Sequence, residues 1–301
     1  MSVIDRRDFV KSISAVVGTA SLAGIGSIGA AADEKPGKAK DSGPGAIYEV
    51  FALKYAGPFT RKLAATIYFT GWTEDVQINY YIWAIRAKDG ETTLVDTGLG
   101  SKLGPKFEGF VPAHQVAARL GIKPEQVTRV VLTHMHFDHV GGMEDFPTVY
   151  PDAKFYVQEK EFEFWVNSPL SKRPPLKRSR YDAGVQAVAE LAKTKRLVII
   201  NGDHLIGPEM ELLLLPGHSP GLQGVLIPTA KGQTVVGSDC AHLFRSYKED
   251  NPSPIITDLP GWMLSYDKLR AKAPLENLFP GHDTLMLTGF PKVAEDVTRL
   301  A

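Results

Sequence analysis

The chain is poor in cysteine and has no excess of either charge. Cys240 is the single cysteine, so an intrachain disulfide and a cysteine-rich zinc module are both excluded. The 34 basic residues equal the 34 acidic residues, which argues against a nucleic-acid binder held by bulk electrostatics. With 301 residues, 44% of them hydrophobic, the chain is long enough for one large globular domain or two small ones.

The first 32 residues have the three-part pattern of an export signal. A charged stretch that contains Arg6 and Arg7 precedes an apolar stretch rich in glycine and alanine, and small residues follow. The paired arginines resemble a twin-arginine signal, which predicts a periplasmic or secreted protein with no stable membrane span once processed. An amphipathic or disordered tail and an uncleaved anchor are the alternatives. Residues 33–45 indicate a flexible leader, and the folded domain is expected over residues 46–301.

Beyond the leader, strand patterns followed by helix patterns favour a layered α/β domain. We expect a strand over residues 63–69 and, at the other end of the chain, a helix after Pro291. Residues 168–181 fit no sheet element, because they contain three prolines and five basic residues. They indicate a surface insertion or lid, whose basic residues are either a solvated charge run or a substrate clamp.

The residue types with the most specific chemistry follow a strand predicted at residues 127–133. His134, His136, Asp138 and His139 lie within six positions, and two glycines come soon after. Imidazole and carboxylate groups are ligands for zinc and neighbouring divalent ions. In an extended segment, residues i and i+2 point the same way, so the first two histidines can bind one ion together. After the turn, the aspartate and the third histidine face a second direction, suited to a second ion.

Three later strand ends repeat the order of apolar run, turn and ligand side chain. They carry His218, Asp239 and His282. Each alone is more often structural than a ligand, but with the first motif they complete five histidines and two aspartates. That set is sufficient for two ions that share a bridging carboxylate. Asp96 also ends a predicted strand before a glycine-rich turn, where it either caps the turn or faces the site.

Together these residues resemble the metallo-β-lactamase-fold hydrolases over nearly all of the chain beyond the leader. The resemblance implies an αββα sandwich in a single domain and two divalent metal ions. Zinc is the default ion, and iron, cobalt or manganese would suit the same ligands. Asp96 would orient a ligand histidine from behind. The resemblance assigns the ligands as follows: His134, His136 and His218 on one ion, Asp138, His139 and His282 on the other, and Asp239 between them.

Within that family the chain is most similar to the N-acyl-homoserine lactonase group. Bridging Asp239 disfavours a β-lactam substrate, because true β-lactamases generally lack an aspartate there. The lactonases commonly carry a tyrosine three residues after the bridging aspartate, whereas this chain has His242. Histidine can also donate a proton, so His242 is a candidate for contact with the substrate carbonyl. An ordinary surface histidine is the alternative.

The resemblance implies hydrolysis of a lactone by a metal-bridging hydroxide. Asp138 or Asp239 would relay the proton, and His242 would steady the carbonyl. The expected partner is a small ester or lactone and no nucleic acid, and a homodimer stays open. Hydrolysis of a thioester, phosphodiester or sulfate ester at the same site is the alternative within the fold. A non-catalytic metal-binding domain is the alternative outside enzymology.

Overall fold

A computed structural model describes residues 47–301, which form two β-sheets covered by helices. The predicted export signal, residues 1–32, and the leader, residues 33–45, lie outside the described residues. Within the described range the strands are β1 (Glu49–Lys62), β2 (Asp75–Arg86), β3 (Thr92–Val95), β4 (Val127–Val131), β5 (Lys154–Gln158), β6 (Leu197–Ile200), β7 (His204–Leu205), β8 (Glu211–Leu214), β9 (Gln223–Thr229), β10 (Gly232–Ser238), β11 (Leu278–Pro280), β12 (Lys292–Ala294) and β13 (Val297–Arg299). The α-helices there are α1 (Ala113–Arg119), α2 (Phe137–Val140), α3 (Phe146–Val149), α4 (Glu159–Phe162), α5 (Pro174–Lys177), α6 (Asp182–Leu191), α7 (Phe244–Glu249), α8 (Leu259–Lys272) and α9 (Leu285–Thr288).

The larger sheet has eight strands in the order β12-β13-β1-β2-β3-β4-β5-β6, and the smaller has five in the order β11-β10-β9-β8-β7. Strands β3 to β6 run parallel, whereas β1, β2 and β3 are antiparallel neighbours. In the smaller sheet only the pair β10–β11 is parallel. Because parallel neighbours end at the same edge of a sheet, the loops after β3 and β4 lie side by side.

Side-chain alternation explains why each sheet is buried on both faces. In β1, Val50 and Ala52 pack between the sheets, whereas Phe51 and Leu53 pack on the outer face of the larger sheet. Successive side chains of a strand point to opposite faces, so a continuous apolar run fills two layers at once. The outer layer on this side is completed by α1 and α6, which includes buried Val185.

The smaller sheet follows the same rule. Leu212 faces the larger sheet, and its neighbour Leu213 faces α8. Helix α8 covers that outer face with Trp262, Tyr266 and Leu269, whose spacing of four and three residues places them on one helix face. Helix, sheet, sheet and helix therefore stack in four layers, which confirms the expected αββα sandwich. The described residues all fall in one compact unit.

The strand expected at residues 63–69 is wrong. Leu63–Ala65 forms a 3-10 turn, and the buried side chains Leu63 and Ile67 enter the same core cluster. A spacing of four residues places both side chains on one face of a helical turn. Phe69 then has a positive φ of 50°, which an extended strand cannot accommodate.

The helix expected after Pro291 is also wrong, because the segment forms the hairpin β12–β13 and pairs with β1. Asp296 makes the turn with a φ of 59°. Its carboxylate lies 2.8 Å from Lys54 Nζ and 2.8 Å from Arg119 Nη1. The conformation is thus decided by an available sheet edge and two distant cations, which local periodicity does not report.

Residues 168–181 contain no strand, as expected, and form two short helical turns, Pro169–Lys172 and α5. Their end is attached to the histidine loop, since Phe137 N donates a hydrogen bond to Ser179 O at 2.8 Å. Across residues 47–301, no helix has the length and apolar character needed to cross a membrane.

Candidate metal centre

Loops that follow β4, β8, β10 and β11 meet at one place and bring the predicted ligands together. All of these side chains are buried, with exposed fractions of 8% or less. In chain order they are His134, His136, Asp138, His139, His218, Asp239 and His282. His134, His136 and His218 form one group of three, and Asp138, His139 and His282 form another. Two further groups contain Asp239, once with His134 and His139 and once with His218 and His242.

The three-histidine group consists of His134, His136 and His218, whose ligand nitrogens lie within 4.8 Å of one another. His218 Nε2 and His136 Nδ1 are 2.9 Å apart. The opposite nitrogens contact fixed oxygens: His134 Nδ1 is 3.1 Å from Thr133 Oγ1, and His218 Nδ1 is 3.0 Å from Ile255 O. Such outer contacts set the ring orientation and leave the inner nitrogen for an ion.

The mixed group consists of Asp138, His139 and His282, with ligand atoms again within 4.8 Å of one another. Asp138 Oδ2 lies 3.7 Å from His139 Nε2 and 3.8 Å from His282 Nε2. His282 Nδ1 is 3.1 Å from Asn79 O, and Tyr55 Oη donates to the backbone oxygen of Asp138 at 2.5 Å. A side chain of β1 and the backbone of β2 therefore support this group.

Asp239 lies between the two groups. Its Oδ2 is 3.4 Å from His218 Nε2 and 3.1 Å from His282 Nε2, and its Oδ1 is 3.4 Å from His139 Nε2. Gly281 permits this position, because a Cβ there would lie 2.0 Å from Asp239 Oδ1. One carboxylate thus reaches both groups, as a bridging ligand must.

Asp96 stands behind the mixed group and does not enter it. Its Oδ2 lies 2.7 Å from His139 Nδ1, and Thr133 donates to its two oxygens from the backbone nitrogen and from the hydroxyl, at 2.7 and 2.8 Å. Its φ of 67° is unusual for a residue other than glycine, and such strain concentrates at functional sites. The carboxylate therefore orients His139. Of the two alternatives that the sequence left open, a turn cap or a residue that faces the site, the structure supports the second.

The donor set fits divalent cations. Among the described residues, buried His134 Nε2, His139 Nε2 and Asp239 Oδ1 have no hydrogen-bond partner. A buried polar atom without a hydrogen-bond partner lowers the free energy of unfolding by about 1–3 kcal/mol. Burial lowers the pKa of His134 well below its usual value and that of His136 to about 4, so both rings are neutral and offer a lone pair. Ions bound here would satisfy these atoms.

His242 is buried beside the cluster, so the surface-histidine alternative is wrong. Its Nε2 lies 3.1 Å from Asp239 Oδ2, and neither ring nitrogen makes a hydrogen bond to any described residue. Its ring centroid is 5.3 Å from that of His218 and 5.0 Å from that of His282. Burial lowers the pKa of His242, which favours the neutral ring with one N–H.

The segment Gly217-His218-Ser219-Pro220-Gly221 matches Gly-x-Ser-x-Gly, the motif of an exposed serine nucleophile. Here the serine is fully buried. Its hydroxyl lies 2.7 Å from both carboxylate oxygens of Glu161, and it accepts a hydrogen bond from Trp165 Nε1 at 2.9 Å. Ser219 is therefore a structural residue. Sequence patterns gave no signal for Glu161, which contacts the metal loops from a distant position.

Basic residues of 168–181 gather around a cavity that contains none of the predicted ligands. This surface cavity of about 360 Å³ is lined by Lys172, Lys177, Arg180, Asp182 and Gln186. Arg180 Nε pairs with Asp182 at 2.6 Å, and its Nη1 donates to Trp165 O. This arginine thus anchors the insertion.

An αββα sandwich with histidines and aspartates converging at its loops defines a class of metal-dependent hydrolases. A family model described as the metallo-beta-lactamase superfamily matches residues 75–282, and the chain belongs to that superfamily. An N-acyl homoserine lactonase of Bacillus cereus is 28% identical over 197 residues, which are 58% of this chain and 70% of that protein. A second N-acyl homoserine lactonase, from a Bacillus species, is 27% identical over 142 residues, 46% of this chain and about half (48%) of its own length.

Solved structures show the same fold. A quorum-quenching N-acyl homoserine lactone lactonase superposes with a TM-score of 0.66 at 19% identity, covering 82% of this chain and 97% of that chain. AidC, described as a dizinc quorum-quenching lactonase in complex with a product, superposes with a TM-score of 0.64 at 20% identity, covering 80% of this chain and 89% of that chain. The expected class, a metal-dependent hydrolase of this superfamily, is confirmed.

Proposed function

We propose that this protein is a two-metal hydrolase that opens lactones of the N-acyl homoserine lactone type. The observation that carries the proposal is the convergence of two buried three-ligand groups on the shared carboxylate of Asp239. Bound divalent ions, most simply zinc, would polarise a carbonyl oxygen and lower the pKa of a water towards neutrality. The sequence similarity to two N-acyl homoserine lactonases supports the choice of a lactone.

The chain's own residues then have separate roles in the reaction. Hydrolysis adds the hydroxyl of one water to the carbonyl carbon and a proton to the ring oxygen as the ester bond breaks. Asp138 Oδ2 lies within 4 Å of nitrogens on His139 and His282, so this carboxylate can hold that proton and deliver it to the leaving oxygen. Asp239 is the alternative carrier, but its oxygens are already shared between the two groups.

His242 supplies the contact to the substrate carbonyl. Both of its ring nitrogens are buried without a hydrogen-bond partner among the described residues. A neutral histidine has one N–H donor, and a donor aimed at a developing oxyanion stabilises the transition state. This role is the one that the resemblance gives to a tyrosine at the same position.

An assay of the zinc-loaded protein tests the proposed substrate. N-acyl homoserine lactones of several acyl lengths would be compared with thioesters, phosphodiesters and sulfate esters, with Asp239→Ala as the inactive control. We expect the highest kcat/KM on a lactone. Phosphodiester or thioester cleavage without lactone opening would contradict the proposed substrate but not the proposed metal centre. Wild-type protein that binds fewer than two ions would contradict the whole proposal.

We also propose export to the periplasm or beyond, on the pattern of the first 32 residues alone. Residues 1–45 fused to a reporter protein should be exported in a host with an intact twin-arginine translocase. Export should fail in a translocase-deficient host and after the double change Arg6→Lys and Arg7→Lys. Export that survives both changes would contradict this route.

A further inference from the structure

Glu161 is a fully buried carboxylate that the proposed chemistry does not use. It lies in the short helix α4, and its partners are uncharged donors. Oε1 accepts a hydrogen bond from Met135 N at 2.7 Å, and Oε2 accepts one from Gly221 N at 2.9 Å. The hydroxyl of Ser219 lies 2.7 Å from both oxygens.

These donors lie within the metal loops themselves. Met135 is the residue between His134 and His136, and Ser219 directly follows His218. The carboxylate of Glu161 therefore connects the two backbone segments that carry the whole three-histidine group. The segments are far apart in sequence, and they contact this carboxylate through main-chain nitrogens whose positions determine where the adjacent imidazoles lie.

The packing around Glu161 allows little movement. A Cβ on Gly221 would lie 2.3 Å from Glu161 N, so the loop after His218 is seated directly on α4. Trp165 Nε1 donates to Ser219 Oγ at 2.9 Å, and its ring meets the ring of His136 edge-on at 5.2 Å. The segment that begins at α4 thus contacts both metal loops at once.

We propose that Glu161 is a positioning residue, which sets the distance between the His134–His136 segment and His218 so that this group can bind an ion. The inference rests on the metal-binding part of the proposed function and not on its substrate. Both oxygens of Glu161 act as acceptors. An amide at this position would turn its own NH2 group towards an N–H donor, and one of the two bridges would be lost.

Metal titration of purified, metal-free protein tests the proposal. Wild type, Glu161→Gln and Glu163→Gln would be titrated with Co²⁺, followed by absorption and by calorimetry. Glu163 is the matched control, since it lies two residues away, is exposed, and bonds Asn167. We expect wild type and Glu163→Gln to bind two ions. Glu161→Gln should bind one ion as wild type does and the other about 10- to 100-fold more weakly.

Adding His282→Ala identifies the affected ion. In that background the mixed group is disabled, so the remaining ion reports the three-histidine group, and Glu161→Gln should weaken it by the same factor. Ser219→Ala is a second variant, which removes the shared hydroxyl but keeps both backbone bonds and should produce a smaller loss at the same ion. It carries the test if Glu161→Gln does not fold.

Two results would overturn the proposal. One is wild-type affinity for both ions in Glu161→Gln, or in Ser219→Ala where that variant carries the test. The other is equal weakening of both ions, because a general loss of structure would act on the whole centre. Fewer than two ions on wild type would instead overturn the proposed metal centre itself. A protein that binds two ions but does not open lactones would contradict the proposed substrate and leave the proposal for Glu161 intact.

Discussion

The three-histidine group and the mixed group share Asp239 but differ in the charge that surrounds them. In the first, burial lowers the pKa of His134 and of His218 well below the usual value, and the imidazoles repel one another's charge. In the second, burial also disfavours a charged ring, but nearby carboxylates outweigh it and raise the pKa of His139 and of His282. The surroundings of the mixed group therefore carry more negative charge than those of the three-histidine group.

The two halves are also supported in different ways. A carboxylate stands behind each of them, but Glu161 binds main-chain nitrogens and the adjacent serine, whereas Asp96 binds the ligand ring of His139 directly at 2.7 Å. The first arrangement controls where the ligands lie. The second controls the orientation of one ring and makes its inner nitrogen more basic. Changes to the two carboxylates should therefore affect different ions.

The largest expected effect belongs to the residue that both halves share. Asp239→Ala should abolish turnover and reduce the metal content from two ions to one or none, because it removes the carboxylate that reaches both groups. Elemental analysis and kcat/KM on the best substrate measure this. A variant that keeps two ions and full activity would show that the halves are independent.

Removing one ligand from each half should separate them. His218→Ala should lose the ion of the three-histidine group and His282→Ala the ion of the mixed group. The second ion should be retained in each variant, because the two groups share Asp239 and each variant leaves it in place. His204→Ala is the control, since His204 is exposed in β7 and lies in neither group. Co²⁺ spectra distinguish the two sites. If either variant loses both ions, the division into two groups is incorrect.

All of the proposed ligands could be identified from sequence, for a physical reason. Each lies in the loop or short helix that follows an apolar strand, and these strands of the two sheets deliver their ends to the same edge of the sandwich. His134 and His136 are also spaced by two in an extended segment, so local geometry alone already aligns them. For these ligands, the local sequence pattern therefore predicts the position in the fold.

Of the two supporting carboxylates, Asp96 could be recognised at its strand end, whereas Glu161 could not be identified in this way. Glu161 contacts Met135 through the latter's backbone nitrogen, across 26 positions of sequence, and a backbone donor imposes no residue type that a reader could recognise. The burial of His242 depends on the loops around it. The C-terminal hairpin depends on the open edge of β1. These features arise from tertiary packing, which the periodicity of the sequence does not report.

His242 belongs to neither half and tests whether catalysis can be lost while both ions stay. His242→Phe keeps an aromatic ring but removes both nitrogens, and we expect kcat to fall about 100-fold with two ions still bound. His242→Tyr restores a donor and should recover part of the rate. Metal analysis beside steady-state kinetics separates the outcomes. Loss of an ion in His242→Phe would make this residue a ligand and would redraw the boundary between the halves.

The smallest expected effect comes from the carboxylate behind the mixed group. Asp96→Asn keeps the size of the side chain but removes the negative charge beside His139 Nδ1, so the affinity of the mixed group for its ion should fall about 10- to 100-fold. At a saturating metal concentration kcat should change little, because Asp96 lies behind the ligand and not beside the substrate. Co²⁺ titration should show the weakened ion to be the one that Glu161→Gln leaves intact. If both variants weaken the binding of the same ion, the two carboxylates act on one connected centre. The two groups would then not differ in support, one through the backbone beside its ligands and the other through a ligand ring.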